Sequence, residues 1–227
     1  MTTAYSMALE DGAQSGEEDS FVGGRPKLPK EAGIPRCSLC ASDQSFFFQV
    51  AFPSDHGWAG LSLAVFACTS CADESYLIPE MLPGPLPGAD IPAGFLSNYQ
   101  RNFRFEVFET HRAEIVAGYR ERVRFQRIRL GGGGPSIGQV GGLPSWVLED
   151  ESPGTYASSP MVFLLQLRSH VEFGLIQGAP PQMEIGLLGD PEPAPFDFYK
   201  LFIGNTLYLF GTEGLARSEV YAVTQVD

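Results

Sequence analysis

The sequence predicts a mainly β fold, α+β with few helices, arranged as two pseudo-repeated β-rich lobes of which the first carries a pair of metal knuckles. Three observations predict it. Short segments rich in Phe, Val, Leu and Ile alternate with Gly/Pro-rich turns, and 17 Phe among 227 residues suit pleated, half-buried strands. All four cysteines fall in two pairs, Cys37-Ser38-Leu39-Cys40 and Cys68-Thr69-Ser70-Cys71, with 27 residues between them. Blocks of the first part of the chain also return, in the same order, in the second.

The first 20 residues carry Glu10, Asp11, Glu17, Glu18 and Asp19 among small polar residues and read as a flexible acidic leader. They hold no Lys or Arg and no apolar run, so they do not form a secretory signal. No segment approaches the roughly 18 apolar residues that span a bilayer. A reducing cytoplasm is therefore the expected compartment, and a monomer the expected state.

An N-terminal lobe over 21–78 opens with Phe21-Val22-Gly23-Gly24-Arg25-Pro26. Phe46-Phe47-Phe48-Gln49-Val50-Ala51-Phe52 follows the first cysteine pair and Leu61-Ser62-Leu63-Ala64-Val65-Phe66 precedes the second; both are of strand length. Two C-x2-C turns capping neighbouring strands bring four thiolates into one closed tetrahedral shell, which predicts one structural zinc ion held by Cys37, Cys40, Cys68 and Cys71. A redox pair would need one C-x-x-C opening a helix in a βαβ unit, and two disulfides would need an oxidising compartment. A four-thiolate shell leaves no open position, so the ion is expected to hold the fold and perform no chemistry.

From Pro79 to Gly94 the chain carries five prolines and three glycines, which predicts an extended linker over 79–95. The C-terminal lobe, 96–227, begins with Phe103-Arg104-Phe105-Glu106-Val107-Phe108, a period-two strand. Residues 111–120 predict a short helix and Arg122 to Leu130 a second strand. Eight arginines against four glutamates lie between Arg101 and Arg129, a local charge of +4 that leaves −16 for the remainder of a chain at −12. Their alternation places them on a solvated strand face, paired to the acidic remainder. Gly131-Gly132-Gly133-Gly134-Pro135 lacks the Lys-Ser/Thr of a phosphate loop and reads as a hinge.

After that hinge the blocks return. Val22-Gly23-Gly24-Arg25-Pro26 is echoed by Val140-Gly141-Gly142-Leu143-Pro144, Phe47-Phe48-Gln49-Val50 by Leu164-Leu165-Gln166-Leu167, and Leu63-Ala64-Val65-Phe66 by Leu207-Tyr208-Leu209-Phe210. The cysteines do not return: Tyr156-Ala157-Ser158-Ser159 and Thr212-Glu213-Gly214-Leu215 stand in the knuckle positions, so the second repeat is degenerate and metal-free. Glu219 to Val226 alternates as a last strand.

This order of Gly-Gly-x-Pro turns, C-x-x-C pairs and strands ending in Gln-Val, Gln-Leu or Phe resembles the YwqG-like domain and the related programmed cell death protein 2 family. Gly141-Gly142-Leu143-Pro144-Ser145-Trp146, Phe163-Leu164-Leu165-Gln166-Leu167 and Gly204-Asn205-Thr206-Leu207-Tyr208-Leu209-Phe210 are most similar to the bacterial form. The resemblance covers about 21–215. It implies an immunity-type protein or a chaperone that shields a basic ribosomal protein.

No catalytic constellation is legible. His56, His111 and His170 lie in separate segments, no Gly-x-Ser-x-Gly elbow occurs, and the thiols are assigned to metal. Glu149-Asp150-Glu151 is a loop of adjacent carboxylates that reads as solvent-facing. The chain is thus expected to be a binding protein rather than an enzyme. Its charge of −12 repels phosphate backbones and favours a basic protein as partner, a toxin to be occluded or, alternatively, a ribosomal protein to be chaperoned. Trp58 and Phe196 are the expected partner contacts, and Trp146 is expected in the core.

Overall fold

The computed structural model describes residues 3–84, 86–97, 99–131, 135–213 and 219–226. In chain order its strands are β1 (Tyr5–Asp11), β2 (Phe21–Val22), β3 (Lys27–Pro29), β4 (Ser45–Ala51), β5 (Leu61–Ala67), β6 (Ala89–Ile91), β7 (Phe103–Glu109), β8 (Ala113–Ile115), β9 (Gln126–Leu130), β10 (Ser136–Val140), β11 (Pro153–Tyr156), β12 (Ser159–Leu167), β13 (Phe173–Gly174), β14 (Met183–Ile185), β15 (Pro191–Pro193), β16 (Phe198–Tyr199), β17 (Thr206–Thr212) and β18 (Val220–Gln225). The helical segments described are short 3₁₀ turns, and none is long and apolar enough to cross a membrane. The fold is mainly β, as the strand patterns predict.

One long sheet runs β18-β17-β12-β10-β1-β9-β2-β4-β5-β7, with β11 and β6 attached beside β12. Its two ends are copies of one another. Val22 pairs Phe48 and Phe48 pairs Val65 in the first half, while Val140 pairs Leu165 and Leu165 pairs Leu209 in the second. The register slips at matching places, between Phe46 and Phe48 and between Phe163 and Leu165. Each slip frees a carbonyl, that of Phe47 or Leu164, to accept from the first glycine of the Gly-Gly turn, Gly23 or Gly141, at 2.9 Å in both halves. Gly23, Gly24, Gly141 and Gly142 all have φ between 61° and 71°, which only glycine adopts without strain. The repeat seen in the sequence is therefore a repeat of hydrogen-bond register.

The two halves join through β1 and β9, which pair antiparallel with Ala8 opposite Arg129, Met7 opposite Leu130 and Leu9 opposite Ile128. Because β9 flanks β2 as β1 flanks β10, this pairing maps onto itself under a two-fold exchange of the halves. The N-terminal strand thus completes the C-terminal half.

That placement corrects the acidic leader. Residues 5–11 form a central strand, with Met7 fully buried. Its neighbouring carboxylates are neutralised across the sheet: Glu10 pairs Arg129 at 2.5 Å, and Glu18 pairs Arg127 at 2.8 Å. The domain boundaries change with it. β7 pairs β5 and β9 pairs β2, so the first half extends through Leu130 rather than ending at residue 78. The segment read as a linker over 79–95 crosses to the second half, where β6 runs parallel to β11 and Ile91 is buried. The helix expected over 111–120 is a 3₁₀ turn, Thr110–Arg112, followed by β8, which pairs β3. Pro26 accepts from Val116 N, fixing the chain there as an edge ribbon. Within the expected hinge, 132–134 lie outside the described residues, as do 214 and 215 of the second knuckle-equivalent.

One face of the sheet carries a core shared by both halves, with Val22, Phe48, Val65 and Phe105 from the first and Val140, Leu165, Leu209 and Ala222 from the second. The other face of the first half holds a smaller cluster, Phe21, Phe46, Ala64, Phe66 and Phe108, roofed by Leu28 of β3. Each such buried side chain contributes about 1.5–3 kcal/mol of transfer free energy. The loop between β4 and β5 reaches across to the second half: Trp58, 1% exposed, packs over Gly211, where a Cβ would collide with its ring.

Candidate metal centre

The two knuckles reach each other because β4 and β5 are antiparallel neighbours, with Ser45 opposite Ala67. Cys37 and Cys40 lie just before β4, and Cys68 and Cys71 just after β5, so both turns emerge at the same end of the pair. The first turn closes by Ala41 N donating to Cys37 O at 2.8 Å, with Ala41 at φ 61°. A bridge between Arg36 and Asp43, supported by their 3.1 Å ion pair, clamps its base. In the second turn Ser70 N points at Cys68 Sγ, 3.4 Å away.

The four Sγ atoms all lie within 4.8 Å of one another. Separations of 3.9 Å (Cys37 to Cys71), 3.6 Å (Cys40 to Cys68) and 3.5 Å (Cys68 to Cys71) are far beyond a disulfide's ~2.05 Å. They match the ~3.8 Å edges of a tetrahedron of sulfurs each ~2.3 Å from one ion. The cluster could hold a metal ion, and among the described residues it is the one grouping of three or more Cys, His, Asp or Glu ligand atoms with this geometry. Cys37 and Cys68 are buried, Cys71 half-buried and Cys40 exposed, so an ion would enter from the Cys40 side.

The thiols are prepared unequally. Burial opposes ionisation of Cys40, but hydrogen bonds from the Ser42 side chain and backbone and from Cys71 and Cys68 outweigh it and lower its pKa to about 7. Burial pushes Cys68 up to about 11 and Cys71 further still. Cys40 is thus the readiest thiolate donor of the four, and a tetrathiolate site here would require Cys68 and Cys71 to give up their protons.

Behind the second knuckle sits a group that spacing alone did not reveal. Ser45 Oγ and Thr69 Oγ1 are 2.6 Å apart, and Arg122 Nη1 donates to both, at 2.8 and 3.3 Å. A divalent ion in four thiolates would carry a net charge of −2, and this guanidinium, held by the hydroxyl of the residue that follows Cys68, would offset part of it. Four other arginines of the basic stretch pair with carboxylates, in part as their alternation predicts: Arg104 with Glu106, Arg112 with Glu31 and Glu109, and Arg127 and Arg129 as above.

The remaining sequence-derived residues separate. Trp58, expected at a partner surface, is in the core; its Nε1 donates to Thr212 O at 3.0 Å, because the loop that carries it plugs the second half. Phe196 is 40% exposed, stacked on Phe198 and covered by the Lys200 ammonium at 4.2 Å. Trp146 is half-buried and stacks on Tyr208 and Phe210, consistent with a packing role. His56 is buried against Phe52 and accepts from Trp58 N at 3.0 Å through Nδ1. His170 occupies a left-handed turn at φ 57°, and His111 lies on an exposed 3₁₀ turn. Glu149 and Asp150 are exposed, as expected of that loop, and Asp150 caps Ser152 N.

Two of the surface clefts adjoin these elements. One, of about 770 Å³, lies on the polar face of the second half between Ser6, Gln139, Trp146 and Arg168. The other, of about 280 Å³, adjoins the metal centre, between Cys71 and Tyr76 on one side and Met183 and Ile185 on the other. The chain matches no family model and no curated protein sequence.

Proposed function

We propose that the chain is a zinc-stapled protein-binding module of a reducing, cytoplasmic compartment, and that it acts as an immunity-type protein occluding a cognate basic toxin. The tetrathiolate cluster carries this reading: a closed shell of four soft ligands suits zinc and leaves no coordination position for substrate, so the ion is a staple for a display surface. Its charge of −12, with four of the eight arginines of the basic stretch already paired internally, makes carboxylates the dominant outward field, which steers basic partners at low salt. The order of Gly-Gly-x-Pro turns, C-x-x-C pairs and strands, read as resembling YwqG-like domains, agrees with this proposal.

The test is capture of partners from the native cell by the tagged full chain at low salt, with mass spectrometry of what is retained. One stoichiometric basic toxin supports the reading, and a basic ribosomal protein moves it to assembly chaperone. Retention of acidic proteins or nucleic acid, or turnover of a substrate lost on changing His170, would overturn it.

A further inference from the structure

We propose that the cleft between the second knuckle and the β14–β15 hairpin is the docking surface for a partner segment that carries large apolar side chains flanked by Lys or Arg. The inference rests on the basic-partner reading above and gives it a place on the molecule.

The hairpin is fastened to the metal centre, since Met183 N donates to Thr69 O at 3.0 Å. Its tip reads Gly186-Leu187-Leu188-Gly189, and the two leucines are 106% and 93% exposed. Hairpin tips are ordinarily built from Gly, Asn, Asp, Ser and Pro, because nothing there covers an apolar chain. Ile203, which lines the cleft, is 52% exposed and holds φ 55°, an uncommon conformation for a β-branched residue. Exposed apolar groups thus stand in a cleft walled by the second knuckle and at the tip of the hairpin that forms its other wall.

Charge identifies the occupant. Asp73 and Glu184 line the cleft, Glu74 follows Asp73 on the knuckle, and Asp190 and Glu192 line the hollow at the hairpin tip, against the cations Lys200, which lines the cleft, and Arg101, which reaches Tyr76 of its wall. Both cations are occupied: Arg101 hydrogen-bonds the Tyr76 hydroxyl, and Lys200 lies 4.0 Å from Glu184 and over the Phe196 ring. The carboxylates repel a second copy of this acidic surface and an anionic membrane alike, and favour an apolar segment bearing Lys or Arg. Pro191 and Pro193 occupy two of the three positions of β15, which disfavours addition of a further strand, so recognition falls to side chains.

A random short-peptide display library panned on the zinc-loaded full chain tests this. Enriched peptides are expected to combine two or more large apolar residues with Lys or Arg. A synthetic copy of such a peptide, read by fluorescence anisotropy, should bind Leu187→Ser/Leu188→Ser about 30-fold or more weakly than wild type, but bind Leu143→Ser/Leu148→Ser equally. Asp73→Asn/Glu74→Gln should weaken it and reduce its salt dependence. All four changed leucines are exposed, so the variants should melt as wild type does. Basic peptides that lose affinity only in the Leu143/Leu148 variant would overturn this cleft and leave the basic-partner reading standing. Enrichment of acidic peptides would overturn both. Failure to enrich any peptide, a dimer that Leu187→Ser/Leu188→Ser dissolves, or vesicle binding lost in that variant would overturn the cleft assignment alone.

Discussion

The indole Nε1 of Trp58 donates a 3.0 Å hydrogen bond to the carbonyl oxygen of Thr212, a residue 154 positions away on the opposite half of the sheet. The bond is buried, and the ring that makes it fills the space that Gly211 leaves by having no side chain. Within the same loop His56 Nδ1 accepts from Trp58 N, which fixes the turn that presents the indole to the second half.

Trp58→Phe keeps an aromatic ring but removes the buried indole donor to the Thr212 carbonyl, and should cost about 1–3 kcal/mol in urea unfolding. Gly211→Ala should cost at least as much by pushing the ring out. Because both changes break one contact, the double variant should cost clearly less than the sum; strict additivity would mean that the loop is not the staple between halves.

Gln49 and Gln166 occupy the same place in the two halves. Gln49 Oε1 accepts from Lys27 N at 3.3 Å, and Gln166 Oε1 accepts from Ser145 N at 2.9 Å, each just after a Gly-Gly-x-Pro turn. Changing either to Ala leaves a backbone donor without its partner and should cost a similar amount, about 1–3 kcal/mol. A loss at one site and none at the other would break the equivalence of the halves.

The metal centre predicts about one zinc per chain by elemental analysis. Cys37→Ser or Cys71→Ser should abolish it, and chelation should lower the thermal midpoint, because the knuckles then lose the cross-link between the start of β4 and the end of β5. Purified chain that is metal-free and melts unchanged with chelator would contradict the assignment. Arg122→Met should weaken retention of the ion without altering its stoichiometry.

Acid should unfold the protein in two windows. Burial lowers the pKa of His56 below 6.5, so the unfolded chain binds that proton more readily and stability begins to fall as pH drops below about 6.5. Burial works against ionisation of Glu18, but the Arg127 guanidinium and the hydrogen bonds of Ser15 prevail and hold its carboxyl at about 2. Its contribution is complete above about pH 4.5, the unfolded value, and is lost as pH falls toward 2. Glu18→Gln should flatten the lower window, and His56→Asn the upper one, in unfolding free energy measured against pH.

Periodicity and spacing made much of this legible. Phe47 to Val50 and Leu164 to Leu167 read as matching strands because each must bury one face. The cysteine pairs read as one site because two tight turns on adjacent strands must converge. The acidic N-terminus was not legible in this way, since Glu10 and Glu18 are neutralised by arginines, and Asp11 is hydrogen-bonded by Gln126, each more than 100 residues away. Trp58 was misread for a related reason: a polar loop reads as surface, and the cavity over Gly211 that receives its ring is built by another part of the chain.

The sequence by itself determined the β class, the repeat, the Gly-Gly turns and the clustering of the four cysteines, because each follows from the stereochemistry, spacing or periodicity of neighbouring residues. Only the tertiary structure decided that the first strand completes the last half, that the halves meet at Ala8 and Arg129, and that two leucines stand exposed beside the metal centre. Those outcomes depend on long-range pairing, where the free energy lies in partners that local pattern cannot name.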